Sequence, residues 1–428
     1  MQNMIKFEYQ NHSNLLCDYS DFDEMTINPS FKILLWIAQE NKAVFPYEDI
    51  IRVYHKTGKH FVPDHFLELL NVARKKCATF NTDDAENALR FLKVVLDKYD
   101  GSYDYRSYLA LDLLDMPNDH TETKAYTEAQ SYINHMTLLL TADLLKFELG
   151  GLEPKRNLRF QLPEQALVEK RCARALKAVS PYVQRMGLIY RKTDNCIESV
   201  KNFIVATQSK KRPNDEQMLV KTNLPVYLIH DEYMFIRILQ MFEYSFSWIV
   251  IGLRAAIESL SKTPNQTSMI IKSCEQKIKE VTGFFYVLST MRAESFKVFR
   301  EYTEGASAIQ SRNYKRIESL CRQPDQERLH SIAYRSVPEV QKKLLISSDN
   351  LDLALRQAQH SGRLDCKDFI EVKQAMKSFS TTMKRWKQTH YGLAMKMLGE
   401  GSGTGYTEGT PYLAFAKDIP VFDTSLDV

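Results

Sequence analysis

The stretch Val372–Leu413, VKQAMKSFSTTMKRWKQTHYGLAMKMLGEGSGTGYTEGTPYL, decides the fold of this chain. Its apolar residues recur at alternating steps of three and four, which places them along one face of a helix. The residues on this stripe are Val372, Met376, Phe379, Met383, Trp386, His390, Leu393 and Met397. Because His390 lies on the stripe, its imidazole is predicted to point toward the protein interior. The other faces carry lysines that are predicted to reach water, namely Lys373, Lys377, Lys384 and Lys387.

A glycine-rich loop follows this helix. The helix is predicted to end at Gly399, and further glycines follow within ten residues, at positions 401, 403, 405 and 409. Such a loop can bring its backbone close to a bound molecule, because glycine adopts conformations that other residues avoid. An inward histidine followed by a flexible loop indicates a cofactor site. On the pattern alone, the alternative of a hydrogen-bonded core histidine stays open.

The composition is that of an ordinary globular protein. With 428 residues, 44% hydrophobic and 26% charged, the chain is long enough for two domains, or for one large domain with an appendage. The net charge of +4 is spread along the sequence, so no nucleic-acid partner is expected. No run reaches the roughly 18 apolar residues of a membrane span, so no membrane partner is expected either. We expect a cytoplasmic protein whose seven cysteines are reduced.

Helical patterns follow one another along the chain. Spacing of apolar residues by three and four predicts helices over 31–38, 64–75, 84–97, 132–149, 163–186 and 194–207. Asp64 and Asp84 are placed as N-caps of two of these helices. The polar stretch 206–225 is interpreted as a boundary between a helical N-terminal portion, residues 1–222, and a second domain, residues 223–428. The N-terminal portion has no motif with an evident chemical role, and we expect it to form a cap over the active site or a dimer surface.

One further helix carries a candidate binding group. Phe296, Arg300 and Thr303 follow one another at steps of four and three, so an aromatic ring, a guanidinium group and a hydroxyl share one face. A guanidinium group in such a place calls for an anionic partner. Arg300 is therefore a candidate for binding a carboxylate, and the alternative is an exposed pair with Glu304 one turn on.

Three segments of the chain resemble the tryptophan 2,3-dioxygenases, in the same order. Residues 386–413 resemble the signature that carries the proximal haem histidine of this family. Residues 230–246 resemble the distal wall of the haem pocket, and residues 299–318 resemble the segment that supplies an arginine for the substrate carboxylate and a serine beside the haem. The resemblance implies an all-α protein whose residues 223–428 form a haem-binding domain of the tryptophan and indoleamine dioxygenase type.

The resemblance also implies roles for individual residues. His390 would bind the iron of haem b, with Trp386 and Ser307 beside the cofactor, and O2 would be the co-substrate. Arg300 would bind the substrate carboxylate. The expected substrate-binding residues are Arg300, Thr404 in the glycine loop, and Phe235, Phe296 and Leu239 around the aromatic ring.

The activity implied by the resemblance is the dioxygenation of the indole C2–C3 bond of L-tryptophan or a related aromatic amino acid. One alternative is a haem-dependent monooxygenase that acts on an aromatic amino acid derivative in a biosynthetic pathway. Another is a non-catalytic haem-binding or ligand-binding protein, although haem binding alone does not need a carboxylate clamp such as Arg300. A homodimer and a homotetramer both stay open.

Two departures from the family bear on the substrate. Leu239 stands where the tryptophan 2,3-dioxygenases carry a distal histidine, so the chain offers no base at that position. In the glycine loop, Tyr406, Thr407 and Glu408 replace a run of small residues and add bulk and a charge. A substituted indole or a tyrosine derivative therefore stays open as the substrate.

Overall fold

A computed structural model describes residues 19–39, 44–117, 123–153, 159–346, 349–400 and 409–423. Within these ranges the regular structure is helical, apart from one isolated bridge between Phe160 and Ile229. The prediction of an all-α protein is confirmed.

The front part of the chain forms short and medium-length helices. They are α1 (Tyr19–Ala38), α2 (Tyr47–Thr57), α3 (Asp64–Cys77), α4 (Asp83–Val95), α5 (Tyr105–Tyr108), α6 (Thr123–Gly150), α7 (Gln165–Arg185), α8 (Cys196–Gln208) and α9 (Asp215–Lys221). Short 3-10 turns lie at Lys59–Phe61 and Leu111–Leu113.

The rest of the chain contains the two longest helices of the described residues. The elements are α10 (His230–Lys262), α11 (Pro264–Leu288), α12 (Ala293–Glu301), α13 (Arg312–Cys321), α14 (Gln326–Leu329), α15 (Ile332–Arg335), α16 (Pro338–Ile346), α17 (Leu351–His360), α18 (Cys366–Leu398) and α19 (Thr410–Ala416). A 3-10 turn at Ala308–Gln310 joins α12 to α13. As predicted, α18 ends at Gly399, which has a positive φ of 62°.

Two predicted helix caps are wrong. The N-cap of α3 is Pro63 and the N-cap of α4 is Thr82, so Asp64 and Asp84 lie inside the first turns. Thr82 has the extended backbone that an N-cap needs, and its hydroxyl accepts a hydrogen bond from the Ala85 amide. The two aspartates instead place negative charge near the positive ends of the helix dipoles.

Two large hydrophobic cores hold the molecule together. The first is built from residues between Ile33 and Ala110, together with Leu224. The second combines residues between Tyr105 and Phe203 with those between Leu219 and Phe422. Helices α6, α7 and α8 thus share a core with the C-terminal helices. Along the sequence, the first core gives way to the second between residues 105 and 110. The division into residues 1–222 and 223–428 stays a prediction.

Helix α10 runs through the centre of the second core. It is long and apolar enough to cross a membrane by composition alone, but 89% of its most apolar window is buried in the protein, as a core helix requires. From His230 to Leu253, every residue is buried except Phe235 and Leu239. Over this stretch α10 is therefore a core helix with two partly exposed side chains.

A buried ionic network ties α10 to its neighbours. The Arg171 guanidinium group of α7 lies 3.0 Å from the Glu148 carboxylate of α6 and 2.6 Å from the Asp231 carboxylate of α10. None of the three side chains is more than 1% exposed. Because unpaired charges at these positions would be very costly, the network fixes how the three helices pack.

The two cores are joined by backbone hydrogen bonds. The amides of Lys59 and His60 donate to the carbonyl oxygens of Pro225 and Val226. Gly58, with φ of 79°, makes this approach possible, since a Cβ atom there would lie 2.8 Å from the Val226 oxygen. The 3-10 turn after α2 is thus docked directly against the segment that leads into α10.

Candidate cofactor and substrate site

A deep cavity opens between α10, α11, α12, α13, α18 and α19. Its empty volume is about 1650 Å³, which includes the mouth that is open to solvent. Aromatic and aliphatic side chains supply most of its wall, as in sites that bind cofactors and small molecules.

The residues predicted to form the site line this one cavity. They are Phe235 and Leu239 of α10, Phe296 and Arg300 of α12, Ser307, and Trp386 and His390 of α18. Thr404 and the segment Tyr406–Glu408 lie outside the described residues. The structure therefore brings together side chains from positions 235 to 390, although the role of each side chain stays a prediction.

His390 faces the cavity from the apolar stripe of α18. The other members of the stripe are all buried, whereas His390 is partly exposed to the cavity. Its ring lies parallel to that of Phe285, with the ring centroids 6.0 Å apart. Burial lowers the pKa of His390 to about 4, so the imidazole is neutral at physiological pH. No described residue accepts or donates a hydrogen bond at this ring, unlike in a satisfied core histidine.

Trp386 lies one turn before His390, with its ring packed edge-on against Phe242 and Phe246. The indole Nε1–H is buried and has no hydrogen-bond partner among the described residues. A buried donor without an acceptor costs free energy, typically about 1–3 kcal/mol. Because Trp386 lines the cavity, a bound molecule is the natural source of that acceptor.

A buried cationic cluster forms part of the cavity wall. Lys315 Nζ lies 2.7 Å from the Glu318 carboxylate, and Arg328 donates two hydrogen bonds of 3.0 Å to the same carboxylate. Lys387 lies beside them and donates to the Ile419 carbonyl oxygen. Burial alone would raise the pKa of Glu318, but Lys315 and Arg328 lower it to about 2. Three cations thus surround one carboxylate, which leaves a surplus of two positive charges.

The burial of Lys387 corrects the sequence analysis. This lysine was predicted to reach water with Lys373, Lys377 and Lys384, but it is 7% exposed. Its attraction to Glu318 explains the difference, because a lysine is rarely buried unless it is paired. Taken together, the described cavity-lining residues include five cations and one carboxylate: Arg300, Lys315, Arg328, Lys387 and Lys417 against Glu318. The described lining residues therefore carry more positive than negative charge.

Arg300 lies on a second part of the wall, in the last turn of α12. The guanidinium group is partly buried, and burial lowers its pKa. The Thr303 hydroxyl donates to the Arg300 carbonyl oxygen at 2.8 Å and closes the end of the helix. The Glu304 carboxylate lies 3.4 Å from Lys98, a residue of the front part of the chain.

The front part of the chain also contributes two residues to the cavity wall that the sequence analysis missed. Tyr105 and Tyr108 of the short helix α5 line the cavity. Their hydroxyls donate hydrogen bonds of 3.2 Å to two buried carboxyl groups of α10, those of Glu243 and Glu232 respectively. The capping box formed by Asp104 could have predicted the helix from the sequence, but not its partners. The expectation that the N-terminal portion forms a cap or a dimer surface stays a prediction.

These features define an all-helical protein with one deep, aromatic and cationic ligand cavity. Residues 216–367 match the family model of tryptophan 2,3-dioxygenase. The chain is 22% identical over 240 residues to the tryptophan 2,3-dioxygenase of Bradyrhizobium sp. (strain ORS 278). The aligned region covers 48% of this chain and 86% of that protein. The chain is 21% identical over 228 residues to the enzyme of Burkholderia mallei (strain SAVP1), covering 45% and 74% of the two chains. The matched segment and these low-identity relatives support a relationship between this chain and the tryptophan 2,3-dioxygenase superfamily.

The family match covers only part of the cavity. It includes the walls from α10, α12 and α13, whereas His390 and the glycine loop follow its last residue, 367. Tyr105 and Tyr108 precede its first residue, 216. His390 nevertheless lines the same cavity as the matched segments, and its role in the site stays a prediction.

Proposed function

We propose that this protein is a haem-dependent oxygenase that acts on L-tryptophan or a closely related aromatic amino acid. The observation that carries the proposal is the shared cavity of His390 and Arg300, which combines a neutral imidazole with a group suited to bind a carboxylate. The relationship to the superfamily supports an oxygenase. We propose both that the cofactor is haem and that the substrate is an aromatic amino acid.

The residues present fit haem in three respects. The lowered pKa of His390 keeps its imidazole neutral, and the ring has no hydrogen bond to a described residue, so it would be free to bind the haem iron. The Trp386 indole N–H needs an acceptor, which a propionate oxygen can provide. The surplus of two positive charges formed by Lys315, Arg328 and Lys387 around Glu318 matches the two propionate carboxylates of haem b.

Bound haem would supply the O2 chemistry, and the chain would supply binding and orientation. Arg300 would hold the substrate carboxylate with two parallel hydrogen bonds. Phe235, Phe296 and Leu239 would pack against the aromatic ring and exclude water from it. Thr404 would contact the amino or carboxylate group from the glycine loop.

The decisive experiment counts the oxygen atoms that enter the product. The purified protein should show a Soret band, and the reduced protein should convert L-tryptophan under 18O2 to a product that carries two labelled atoms. One labelled atom would instead favour the monooxygenase alternative. A Soret band without turnover of any aromatic amino acid would favour a non-catalytic haem protein, and the absence of haem binding would contradict the proposal.

The carboxylate clamp has its own test. Replacing Arg300 by alanine should lower kcat/KM for L-tryptophan roughly ten- to a hundredfold, since a charge-assisted hydrogen bond contributes about 1.5–3 kcal/mol. Arg300→Lys should not restore kcat/KM fully, because an ammonium group cannot donate the two parallel hydrogen bonds of a planar guanidinium group. Lys297→Ala, on the exposed side of α12, is the matched control. Equal handling of L-tryptophan and tryptamine by the parent protein would rule out the clamp.

A further inference from the structure

We propose that Lys98 is a positioning residue that holds the Arg300 clamp in place from the front part of the chain. The inference rests on the proposed function of Arg300. Lys98 lies in the turn that follows α4, far from α12 in the sequence, and the Lys98 side chain is 14% exposed.

The Lys98 ammonium group meets the chain just after the clamp helix. Its Nζ donates a 3.0 Å hydrogen bond to the Tyr302 carbonyl oxygen, two residues after Arg300. The same nitrogen lies 3.4 Å from the Glu304 carboxylate and 3.2 Å from His60 Nδ1. One side chain thus binds both the backbone and a carboxylate of the turn that ends α12.

This turn needs such support because its backbone is strained. Glu304 has a φ of 43°, in the left-handed region that a residue with a side chain rarely adopts. The turn carries the cavity-lining Thr303 immediately before Glu304, and Ser307 shortly after it. A strained residue persists only when its surroundings hold it, and here the holding charge belongs to Lys98.

Lys98 also contacts Tyr103, which packs behind the wall of the cavity. Its ammonium group lies over the Tyr103 ring, 4.3 Å from the ring centroid. Tyr103 in turn packs edge-on against Tyr108, which lines the cavity. The same cation therefore sets the position of the clamp turn relative to the aromatic wall that α5 contributes.

Packing around Tyr302 is a separate contribution. The Tyr302 ring stacks on Tyr227 and lies against Phe61 and His60, with centroid distances of 4.8, 5.2 and 5.0 Å. These ring contacts hold the turn against the front part of the chain, but they do not fix the orientation of the Tyr302 carbonyl group. Loss of Lys98 should therefore leave the fold in place and shift the turn, so the carboxylate-dependent part of ligand binding should change most.

The test compares ligands with and without a carboxylate. In the haem-loaded protein, dissociation constants for L-tryptophan and tryptamine are measured from shifts in the Soret band. Lys98→Met should weaken binding of L-tryptophan about tenfold and leave tryptamine within about twofold, and Lys98→Arg should recover most of the loss. Lys93→Met, which removes an exposed lysine of α4, is the matched control and should change neither ligand.

A second variant covers the case in which Lys98→Met does not fold. Glu304→Gln removes the other half of the ion pair at a side chain that is 54% exposed, and it should show the same selective loss. In the background of Arg300→Ala, neither change should weaken L-tryptophan further. Equal weakening of both ligands, or no weakening, would overturn the role of Lys98. If Arg300→Ala itself spares L-tryptophan, the proposed clamp fails as well, and the two failures are thereby distinguished.

Discussion

Trp386 and His390 lie one turn apart on α18, with ring centroids 5.5 Å apart, and both line the same cavity. The lowered pKa of His390 keeps its imidazole neutral, and the Trp386 indole has a buried N–H that lacks an acceptor among the described residues. A single flat ligand with a metal centre and peripheral carboxylates can satisfy both groups at once.

The pair makes a prediction that separates the two roles. His390→Ala should abolish or grossly alter the Soret band, because the residue proposed to bind the haem iron is removed. Trp386→Phe should keep the band position but weaken haem retention about tenfold, since one hydrogen bond to a charged acceptor is lost. Thr389→Ala, an exposed neighbour on the same helix, is the control for both measurements. An unchanged spectrum in His390→Ala would exclude this histidine as the ligand.

The cationic cluster predicts how stability depends on pH. Because Lys315 and Arg328 hold the pKa of Glu318 at about 2, against about 4.3 in the unfolded chain, its contribution is complete above pH 4.3 and is lost as the pH falls toward 2. Glu318→Gln should lower the free energy of unfolding by about 3–5 kcal/mol at pH 7, because the buried cations lose their partner. The difference from the parent protein should shrink with acidification.

Urea unfolding at several pH values measures this difference. The exposed Glu327, which lies between Glu318 and the end of α14, provides the control variant Glu327→Gln. A gap between Glu318→Gln and the parent that stays constant from pH 7 to pH 3 would mean that folding does not shift the pKa of Glu318.

The Arg171 network predicts a large effect on stability alone. Arg171→Met should destabilise the fold by about 3–5 kcal/mol, because Glu148 and Asp231 would be left as buried, unpaired carboxylates. Arg174→Met, one turn on and more exposed, should cost far less. Chemical denaturation followed by circular dichroism measures both. A loss in Arg171→Met no greater than in Arg174→Met would show that the network is not needed for stability.

Local patterns in the sequence predicted the helices and the inward direction of His390, since both depend on residues three or four positions apart. The burial of Lys387 could not be predicted in this way, because it depends on Glu318, a residue of another helix. The same holds for the bond between Tyr105 and Glu243, whose partners are 138 residues apart in the chain. The apolar stripe depends only on residues within one helix, whereas the charge of the cavity depends on residues that folding brings together from different helices.

The last prediction concerns Leu239, which is partly exposed to the cavity on an otherwise buried stretch of α10. A histidine at this position could accept a hydrogen bond from the indole N–H, worth about 0.5–1.5 kcal/mol, whereas leucine provides only apolar contact. The protein should therefore bind and convert N1-methyl tryptophan about as well as L-tryptophan. Leu239→His should introduce a preference of roughly two- to tenfold for the free N–H compound, because the methyl group leaves the new imidazole unpaired.

Both substrates are compared in the parent protein, in Leu239→His and in Leu239→Met, which changes the shape of the wall without adding an acceptor. Like the parent protein, Leu239→Met should bind and convert N1-methyl tryptophan about as well as L-tryptophan. Tyr105 and Tyr108 also line the cavity, and the hydroxyl of each still has acceptor capacity while it donates to a carboxyl group of α10. A strong preference of the parent protein for the free N–H would contradict the prediction, and its loss in Tyr105→Phe or Tyr108→Phe would identify the hydroxyl that replaces the distal histidine.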